Sequence, residues 1–467
     1  MPVSTAVVVG SGPNGLSAAI VLAQAGLDVT VLEAHDSIGG GTRTEELTLP
    51  GVLHDVCSAA HPTGLASPFF RALPLAEHGL EWLWPEIDAV HPLDDGRGAA
   101  LYRDLDRTVE GLGVDGDRWR RVFGPLVEHK EALVDELFGP IVHVPAHPLV
   151  MARFGVNALL PSTVFAKRFE DPQTRALFAG MSDHAVQPLT RPTTAALGLM
   201  FGTFSHGWGW PVAKGGSISI TRAMASLLEK LGGRIETGHR VTELPHADVV
   251  MLDTSPDQAL TLAGDRAPWH VRRSLRKWRY GPGTFKVDYA VAEGVPWTNE
   301  KARHAGTVHL GGEIEEVTAA EQAIAKGRMP DRPFVIVCQQ HLADPSRSNG
   351  DVHPIWAYAH VPHGYEGDAT EAVTAQIERF APGFRERVLA KAVRGPQAWH
   401  DYNANYVGGD IAGGANDPWQ VVMRPRMSPD PYRVADGVYL CSASTPPGGG
   451  VHGMSGFQAA VRAVRSL

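Results

Sequence analysis

A glycine-rich turn near the start of the chain limits its possible folds more than any other feature. The sequence GSGPNG at residues 10–15 follows the short apolar run Ala6–Val9 and precedes a helical stretch of small and aliphatic residues, which ends at Gly26. A second apolar run, residues 28–32, then ends at Glu33. This order of strand, glycine turn, helix and strand predicts a βαβ unit that carries the GxGxxG dinucleotide-binding fingerprint.

Each part of this fingerprint has a physical role toward a dinucleotide. Gly10 permits the tight turn, Gly12 lets the backbone approach a pyrophosphate, and Gly15 allows the helix to pack closely on the strand. The first turn of the helix supplies free N–H groups and a partial positive charge for phosphates. The carboxylate of Glu33 is positioned to accept hydrogen bonds from a ribose diol.

The fingerprint alone does not separate NAD from FAD, but two features favour FAD. It lies close to the start of the chain, and a second glycine-rich turn, Gly39–Gly41 followed by Thr42 and Arg43, comes soon after Glu33. Such a turn lets the backbone pass close to the rest of a long, extended cofactor. Arg43 offers a cation to the phosphates of that cofactor. We therefore predict FAD as the cofactor.

A third glycine-rich stretch, near the other end of the chain, has a similar layout. The apolar run Val438–Cys441 leads into the loop SASTPPGGGVHG at residues 442–453, and the helical segment Met454–Val464 follows. Strand, glycine loop and helix therefore occur at both ends of the chain. We predict that both ends fold around one ligand.

Composition sets the class of protein and its surroundings. The 467 residues exceed one usual core and predict two domains, while 43% hydrophobic and 20% charged residues are typical of a globular chain. The net charge of −9 argues against binding to nucleic acid. Three scattered cysteines, no signal-peptide pattern and no apolar run of spanning length lead us to expect a cytoplasmic protein.

Four sequence blocks together resemble the phytoene desaturase-like branch of the FAD-dependent oxidoreductases, within the amine-oxidase-type flavoproteins. The first is the fingerprint with Glu33. The others are PVAKGGSISITRAMASLLEKLGGRIETGHRV at 211–241, YGPGTFKVDYA at 280–290 and GVYLCSASTPPGGGVHGMSGFQAA at 437–460. The blocks spread over nearly the whole chain. The resemblance is strongest to bacterial phytoene dehydrogenase-related oxidoreductases rather than to the carotenoid desaturases themselves.

The resemblance implies cofactor contacts at matched positions. Val241 would meet the adenine through its backbone, and the loop at 450–453 would lie beside the flavin pyrimidine, where a helix N-terminus stabilises negative charge. Relatives often carry arginine at the position of Gly41, so that contact is either lost here or taken by Arg43. The predicted cofactor-binding residues are Gly10, Gly12, Pro13, Asn14, Gly15, Glu33, Ala34, Gly40, Gly41, Thr42, Arg43, Val241, Ser444, Gly450, Val451, His452 and Gly453.

The order of these blocks predicts a discontinuous domain organisation. We expect an α/β fold in which residues 1–70, 205–262 and 430–467 form a Rossmann-type FAD-binding domain. Residues 71–204 and 263–429 would form a second, α+β substrate domain. The reactive ring of the flavin would then lie at the domain interface, where ligand pockets are common.

Three segments of the substrate domain have alternative interpretations. Thr193–Phe204 has an apolar, helical pattern, and so has Leu149–Ala166 apart from Gly155 and Pro161. Both segments either line an apolar tunnel or belong to the core; we favour core. The basic run His270–Tyr280 either lies on an anionic membrane surface or forms a solvated helix face, and we favour the solvated face. Peripheral membrane contact therefore stays an open expectation.

Candidate catalytic residues follow from the need to place a C–H bond against the flavin. His452 is the first choice, because it lies inside the C-terminal cofactor loop, although a role in orienting the loop is equally consistent. His206, Cys57 and Asp410 are further candidates, each with a structural role as the alternative, and the loop around Tyr402 is a weaker one.

The histidine pairs in the sequence do not indicate a metal site. Proline interrupts the pair His143 and His147, and the pair His360 and His363 has no acid or cysteine nearby in sequence. No metal is expected.

The sequence therefore predicts an FAD-dependent oxidoreductase that dehydrogenates an apolar small molecule, such as an isoprenoid, polyene or polyketide-like chain. O2 or a quinone would reoxidise the cofactor, because a second fingerprint for NAD(P)H is not apparent. Within enzymes, an amine or amino-acid oxidase and a flavin-dependent isomerase are alternatives. A protein that holds FAD or lipid without turnover is an alternative of another class.

Overall fold

The computed structural model describes residues 3–467. Its strands are β1 Thr5–Val9, β2 Asp28–Leu32, β3 Thr44–Glu45, β4 His54–Asp55, β5 Trp82–Leu83, β6 Ile87–Pro92, β7 Gly98–Leu101, β8 Val212–Ala213, β9 Arg234–Glu236, β10 Val249–Leu252, β11 Gly283–Ala292, β12 Ala305–Leu310, β13 Val335–Cys338, β14 Val352–Val361, β15 Val388–Arg394, β16 Arg433–Ala435 and β17 Val438–Leu440.

Nineteen α-helices are present within the described residues. They are α1 Pro13–Gln24, α2 Pro62–Ala66, α3 Pro68–Ala72, α4 Leu105–Gly111, α5 Gly116–Glu128, α6 Lys130–Leu137, α7 Pro148–Ala158, α8 Ser162–Phe165, α9 Pro172–Asp183, α10 Thr194–Trp208, α11 Ile218–Lys230, α12 Pro256–Ala263, α13 Trp269–Leu275, α14 Ile314–Ala325, α15 Thr370–Phe380, α16 Phe384–Arg387, α17 Pro396–Tyr402, α18 Pro418–Met423 and α19 Met454–Val464.

The first large sheet assembles strands from distant parts of the chain. Its order is β16-β17-β10-β1-β2-β9, and all its pairs are parallel except β16 with β17. The central strand β1 pairs with both β2 and β10, so that Val7 lies opposite Thr30 on one side and Val250 on the other. Helices α11 and α19 pack against α1 on this sheet. Strands buried on both faces explain the continuous apolar runs.

The turn between β1 and α1 takes the conformation that its glycines permit. Gly10 has φ +104°, which disfavours any residue with a side chain. A Cβ on Gly15 would overlap the carbonyl oxygen of Gly10, so the helix can lie this close to the turn only with glycine there. Pro13 begins α1 at a position where a missing N–H is tolerated. The first turn of the helix therefore faces the carboxyl ends of β1 and β2.

The second large sheet forms one wall of the substrate region. Its order is β15-β11-β14-β13-β12-β6-β7, and its pairs are antiparallel except β12 with β6. One face, which includes Trp356 and Tyr358, packs with the helical core that contains α9 and α10. The opposite face, which includes Val287 and Ile355, packs against α15. The sheet is therefore covered on both sides.

The structure refines several predicted elements. The segment Leu149–Ala166 forms two helices, α7 and α8, separated by residues 159–161: Pro161, excepted from the predicted helical pattern, has no N–H to continue α7, whereas Gly155 lies inside α7. The basic run at 270–280 is helical only as far as Leu275, and its Val271 and Leu275 are buried. The strands of the first sheet lie inside 1–70, 205–262 and 430–467, and the division into two domains stays a prediction.

Within residues 3–467, no helix is by itself long and apolar enough to cross a membrane. One pair, Pro148–Ala158 with Ser162–Arg168, meets the length and composition criteria when its two parts are joined, with a bend of 95° between them.

We expect Gly456→Ala to destabilise the fold. A Cβ at this position of α19 would overlap the Asn14 carbonyl oxygen on α1, so the two helices must separate, at a cost of about 1–3 kcal/mol. Urea unfolding monitored by circular dichroism measures the change. The matched control is Gly124→Ala inside α5, where the nearest atom lies 3.8 Å from the new Cβ and stability should be equal or higher. Equal stability of the two variants would contradict the packing argument.

Candidate active site

A single large cavity connects the fingerprint turn with the second sheet. Its volume is about 770 Å³. One end is lined by the β1–α1 turn and the carboxyl end of β2, and the other end is lined by α7, α10 and residues of β13 and β14. The cavity therefore runs from the polar edge of the first sheet to an apolar chamber against the second.

Nearly all predicted cofactor-binding residues line this cavity. Of the seventeen, only Gly15 and Gly453 do not, and both lie directly behind the lining. Gly15 packs on Gly10, and a Cβ on Gly453 would overlap the Ser17 hydroxyl of α1. The structure thus brings together residues from 10–43, 241 and 444–453, as the two-ended arrangement requires.

Glu33 is held in a fixed orientation at the end of β2. Its Oε2 accepts hydrogen bonds from the Ser11 backbone N–H at 2.9 Å and from the Ser11 hydroxyl at 2.5 Å. Its Oε1 accepts from the His35 N–H at 2.9 Å and lies 3.3 Å from the Arg43 guanidinium. The residue is 7% exposed and borders the cavity. A carboxylate held this way can accept the hydroxyl hydrogens of a ribose.

The C-terminal loop presents His452 and Ser444 to the same cavity. His452 Nδ1 accepts the Met454 N–H at 3.0 Å at the start of α19, which fixes the ring against Phe138. Burial lowers the pKa of His452 to about 4, so the ring is neutral at pH 7. Its position supports either role considered from the sequence, and Nδ1 is already used to cap the helix.

Unpartnered polar atoms along the cavity are consistent with a polar, extended cofactor. Asn14 Oδ1, Thr254 Oγ1, Gln187 Oε1 and Arg424 Nε are buried, belong to lining residues and have no hydrogen-bond partner in the protein. Such atoms are costly to bury unless a ligand or water satisfies them. The glycine turns, the oriented Glu33 and these atoms together fit FAD.

Asp253, which the sequence analysis did not single out, lies at the centre of the dinucleotide end. It follows β10, and its Oδ2 accepts the Gly15 N–H at 2.9 Å. A Cβ on Gly12 would approach the same oxygen at 2.9 Å, so the carboxyl directly adjoins the backbone expected to contact the pyrophosphate. Burial raises the pKa of Asp253 to about 7; the Gly15 hydrogen bond opposes this shift and the Glu33 charge adds to it.

The far end of the cavity is apolar. On α7, the residues that line it recur at positions 151, 154, 155 and 158, which is one face of a helix, and Leu159, directly after the helix, also lines it. Met200 and Phe201 of α10 and Trp356 of β14 continue this wall. The segments 149–166 and 193–204, for which a core role was favoured, therefore contribute to both the core and the cavity.

The remaining catalytic candidates differ in their positions. Cys57 lines the cavity, and burial raises the pKa of its thiol. Asp410 also lines it, but its carboxylate accepts the N–H groups of Gly281 and Ala412, which indicates a structural role. His206 does not line it: its ring accepts the Trp119 indole N–H at 3.0 Å inside the helical core. For His206, the catalytic prediction therefore lacks geometric support.

The structure contains a buried ionic network beneath the cavity wall that the sequence analysis did not predict. Lys286 Nζ contacts the Asp288 carboxylate and donates to the Asp55 carbonyl oxygen at 3.0 Å, 5.4 Å from the centre of the Trp356 ring. Burial lowers the pKa of Lys286, and Asp288 opposes that shift. The signal was present in TFKVDYAV, where two charges separated by one residue fall on the same face of an apolar strand.

Asp55 joins this network to a second buried cation. Arg347 Nη1 donates to the Asp55 carboxylate at 2.7 Å, and Arg347 Nε donates to Asp344 at 3.0 Å. Burial alone would raise the pKa of Asp55, but Arg347 and the hydrogen bonds lower it below its ordinary value. The network ties β4 to the second sheet below the cavity.

Comparisons with known proteins agree with this geometry. A family described as an NAD(P)-binding Rossmann-like domain matches residues 8–73. A mouse pyridine nucleotide-disulfide oxidoreductase domain-containing protein 2 is 25% identical over 100% of this chain and 94% of its own length. The hydroxyneurosporene desaturase of Cereibacter sphaeroides is 29% identical over 51% of this chain and 50% of its own. A putrescine oxidase redesigned in its cofactor binding superposes with a TM-score of 0.63 at 17% identity, covering 100% of this chain and 99% of that one.

These findings confirm the predicted class: the chain is an FAD-dependent oxidoreductase with a Rossmann-type α/β fold. Among such proteins it resembles the phytoene desaturase-like branch, with the fold shared by flavin amine oxidases. The predictions for individual site residues stay predictions, since their support is their position in the cavity.

We expect Glu33→Ala to weaken FAD retention. Loss of the oriented carboxylate removes a charge-assisted acceptor for the ribose, which corresponds to about a 10- to 100-fold weaker affinity. Titration of apoprotein with FAD, followed by flavin fluorescence, measures the change. Glu46→Ala, at an exposed position nearby, should leave the affinity unchanged. An unaltered dissociation constant for the Glu33 variant would exclude the ribose role.

We also expect FAD affinity to depend on pH through Asp253. Below about pH 7 its carboxyl is protonated and neutral; above it, the carboxylate repels an adjacent pyrophosphate. Affinity should therefore fall as pH rises from about 6 to about 8, by at most about 10-fold per pH unit. The same titration at the two pH values should show a flat response for Asp253→Asn and the full response for the exposed control Asp265→Asn. A pH slope that persists in Asp253→Asn would assign it to another group.

Proposed function

We propose that this oxidoreductase dehydrogenates a long, largely apolar molecule, such as an isoprenoid, polyene or polyketide-like chain. The observation that carries the proposal is the continuity of the cofactor end of the cavity with the chamber lined by α7 and α10. Bound FAD supplies a hydride acceptor at N5. The protein supplies an apolar wall that excludes water and orients the chain toward the cofactor.

Groups of this chain that could hold or move a proton lie along the middle of the cavity. His452 is neutral and borders it, and Cys57 lines the wall above the buried Lys286. Burial raises the pKa of the Cys57 thiol, which favours a neutral group near an apolar substrate. We propose His452 as the first polar group beside the reacting atoms. O2 or a quinone is the proposed electron acceptor.

The test is anaerobic reduction of the purified flavoprotein by defined substrates. We expect polyenes or isoprenoids to bleach the flavin absorbance, and NAD(P)H to leave it unchanged. Bleaching only by primary amines, with peroxide released in air, would instead establish the amine-oxidase alternative. If no substrate class reduces the bound flavin, the result would favour the alternative of a protein that holds FAD or lipid without catalysing a reaction.

We expect Gly155→Leu to impair use of a long substrate without loss of FAD. Gly155 lies on the cavity face of α7, and a Cβ there meets open space, so the added side chain fills the chamber rather than straining the backbone. A steric conflict of about 1–3 kcal/mol between the new side chain and the substrate should raise the KM for the long chain by about 10-fold or more. Flavin content, measured by absorbance, is the control. An unchanged KM would place the substrate elsewhere.

We further propose that the chain reaches its substrate from a membrane surface in the cytoplasm. Residues 137–169 contain no Asp or Glu and carry the exposed cations Arg153, Lys167 and Arg168. Their exposed apolar side chains include Val144 at 93%, Leu149 at 86%, and Ile141, Val142, Val156, Leu159 and Val164. We call residues 141–164 the apolar patch. An apolar face flanked by cations is typical of segments that lie in an anionic lipid interface.

The apolar patch is continuous with the chamber. Helix α7 exposes Leu149 and Val156 on its outer side, and Phe154 and Ala158 on its inner side line the cavity. A substrate dissolved in lipid could enter past this helix without crossing water. Three buried, unpaired cysteines support the proposed reducing compartment.

We expect the protein to sediment with vesicles of phosphatidylglycerol and phosphatidylcholine. The double variant Leu149→Ser/Val156→Ser should bind the same vesicles with an affinity at least about 10-fold lower. The matched control is Val114→Ser, which removes an apolar side chain of 67% exposure from another surface. Equal binding of the double variant and the control would exclude the apolar patch as the contact.

A further inference from the structure

Three ionisable side chains meet in a fully buried cluster outside the cofactor cleft. Asp183 ends α9, Glu321 lies on α14, and His360 lies on β14. Their side chains are at most 1% exposed. The mechanism proposed above uses none of them.

The spacing of the cluster suits a metal ion. His360 Nδ1 lies 2.9 Å from Glu321 Oε1 and 3.7 Å from Asp183 Oδ2, and one potential ligand atom from each residue lies within 4.8 Å of the others. Nitrogen and carboxylate ligands about 2.0–2.2 Å from a divalent ion are separated from each other by about 3–3.6 Å. Side-chain adjustments alone could therefore close the site.

The cluster is also unsatisfied without an ion. Asp183 Oδ1 and Oδ2, Glu321 Oε2 and His360 Nε2 are buried and have no hydrogen-bond partner. Within residues 3–467, no lysine or arginine forms an ion pair with either carboxylate. Two carboxylates buried beside one histidine are strongly unfavourable unless compensated. A single proton shared between the two carboxyl groups would give a hydrogen bond to only one oxygen of each. A divalent cation would neutralise both carboxylates and coordinate a neutral imidazole.

We propose that Asp183, Glu321 and His360 form a binding site for a divalent transition-metal ion, of the Zn2+ or Mn2+ class. The mixed imidazole and carboxylate set selects such ions over Ca2+ or Mg2+, which prefer oxygen ligands alone. The site is closed to solvent and is structural. It joins α9, α14 and β14 by one ion.

The location gives this site a consequence for the substrate chamber. His184 directly follows Asp183 in the chain, and Tyr358 lies two residues before His360, on the same face of β14. His184 and Tyr358 both line the cavity. The Tyr358 and His360 rings lie 5.6 Å apart. Metal binding would therefore hold this part of the cavity wall in one position.

Metal content and thermal unfolding of the FAD-loaded protein test the site. After dialysis against EDTA, we expect addition of Zn2+ or Mn2+ to restore about one ion per chain by mass spectrometry. The Tm should rise by about 3 °C or more at saturation. Asp183→Asn and Glu321→Gln keep the side-chain shapes and should abolish both effects. Asp88→Asn, a buried carboxyl outside the cluster that accepts the Ser205 hydroxyl, is the matched control and should retain them.

Each other outcome overturns the proposal. Wild-type protein that takes up no ion and shows no Tm rise with either metal would leave a carboxyl pair sharing a proton. In that case Asp183→Asn should be at least as stable as wild type, because it removes a buried acid. A metal-dependent Tm rise that persists in both Asp183→Asn and Glu321→Gln would place the ion at another site. If one variant fails to fold, the other variant and the wild-type metal content still decide.

Discussion

Close backbone packing between the two ends of the chain is the constraint on which the cofactor cleft depends. Helix α1 packs closely on the turn after β1 because Gly15 has no side chain to meet the Gly10 carbonyl. Helix α19 reaches the same turn because Gly456 has no side chain to meet the Asn14 carbonyl. With β1 held between β2 and β10, the first turn of α1 and the C-terminal loop face one cavity. A cofactor that contacts both ends would thus stabilise a contact between segments more than 400 residues apart.

The cleft separates two kinds of chemistry along its length. At the dinucleotide end, backbone N–H groups and the oriented Glu33 carboxylate provide polar contacts at the edge of a parallel sheet, where such folds bind ligands. At the other end, α7 and α10 provide methyl and aromatic surface against β14. Because the second sheet is covered on its far face by α15, it can present a rigid wall to the chamber.

What could be predicted from the sequence divides by the range of the interaction. The βαβ unit and the C-terminal strand, loop and helix depend on local patterns, and α19 has the predicted bounds. The pairing of Asp55 with Arg347, and of His360 with Glu321, joins residues far apart in sequence, so no local pattern reveals it. His206 is a catalytic candidate from the sequence with a structural role as the alternative, and its ring contacts Trp119 in the aromatic core, a contact between residues 87 positions apart. The sequence does not indicate the role of Asp253 either, because its hydrogen-bond partner Gly15 belongs to a distant strand–helix unit.

The charge balance at the dinucleotide end explains why a carboxyl is tolerated there. Glu33 and Asp253 both adjoin a site for an anionic pyrophosphate, which would disfavour binding if both were ionised and unopposed. The Arg43 guanidinium and the N–H groups of Ser11 and His35 surround the Glu33 carboxylate, so they reduce its repulsion of a nearby phosphate. Asp253 has one backbone donor, and burial favours its neutral form. The two acids are therefore not equivalent: Glu33 is oriented by several donors as a hydrogen-bond acceptor, whereas burial favours the neutral form of Asp253 beside a phosphate site.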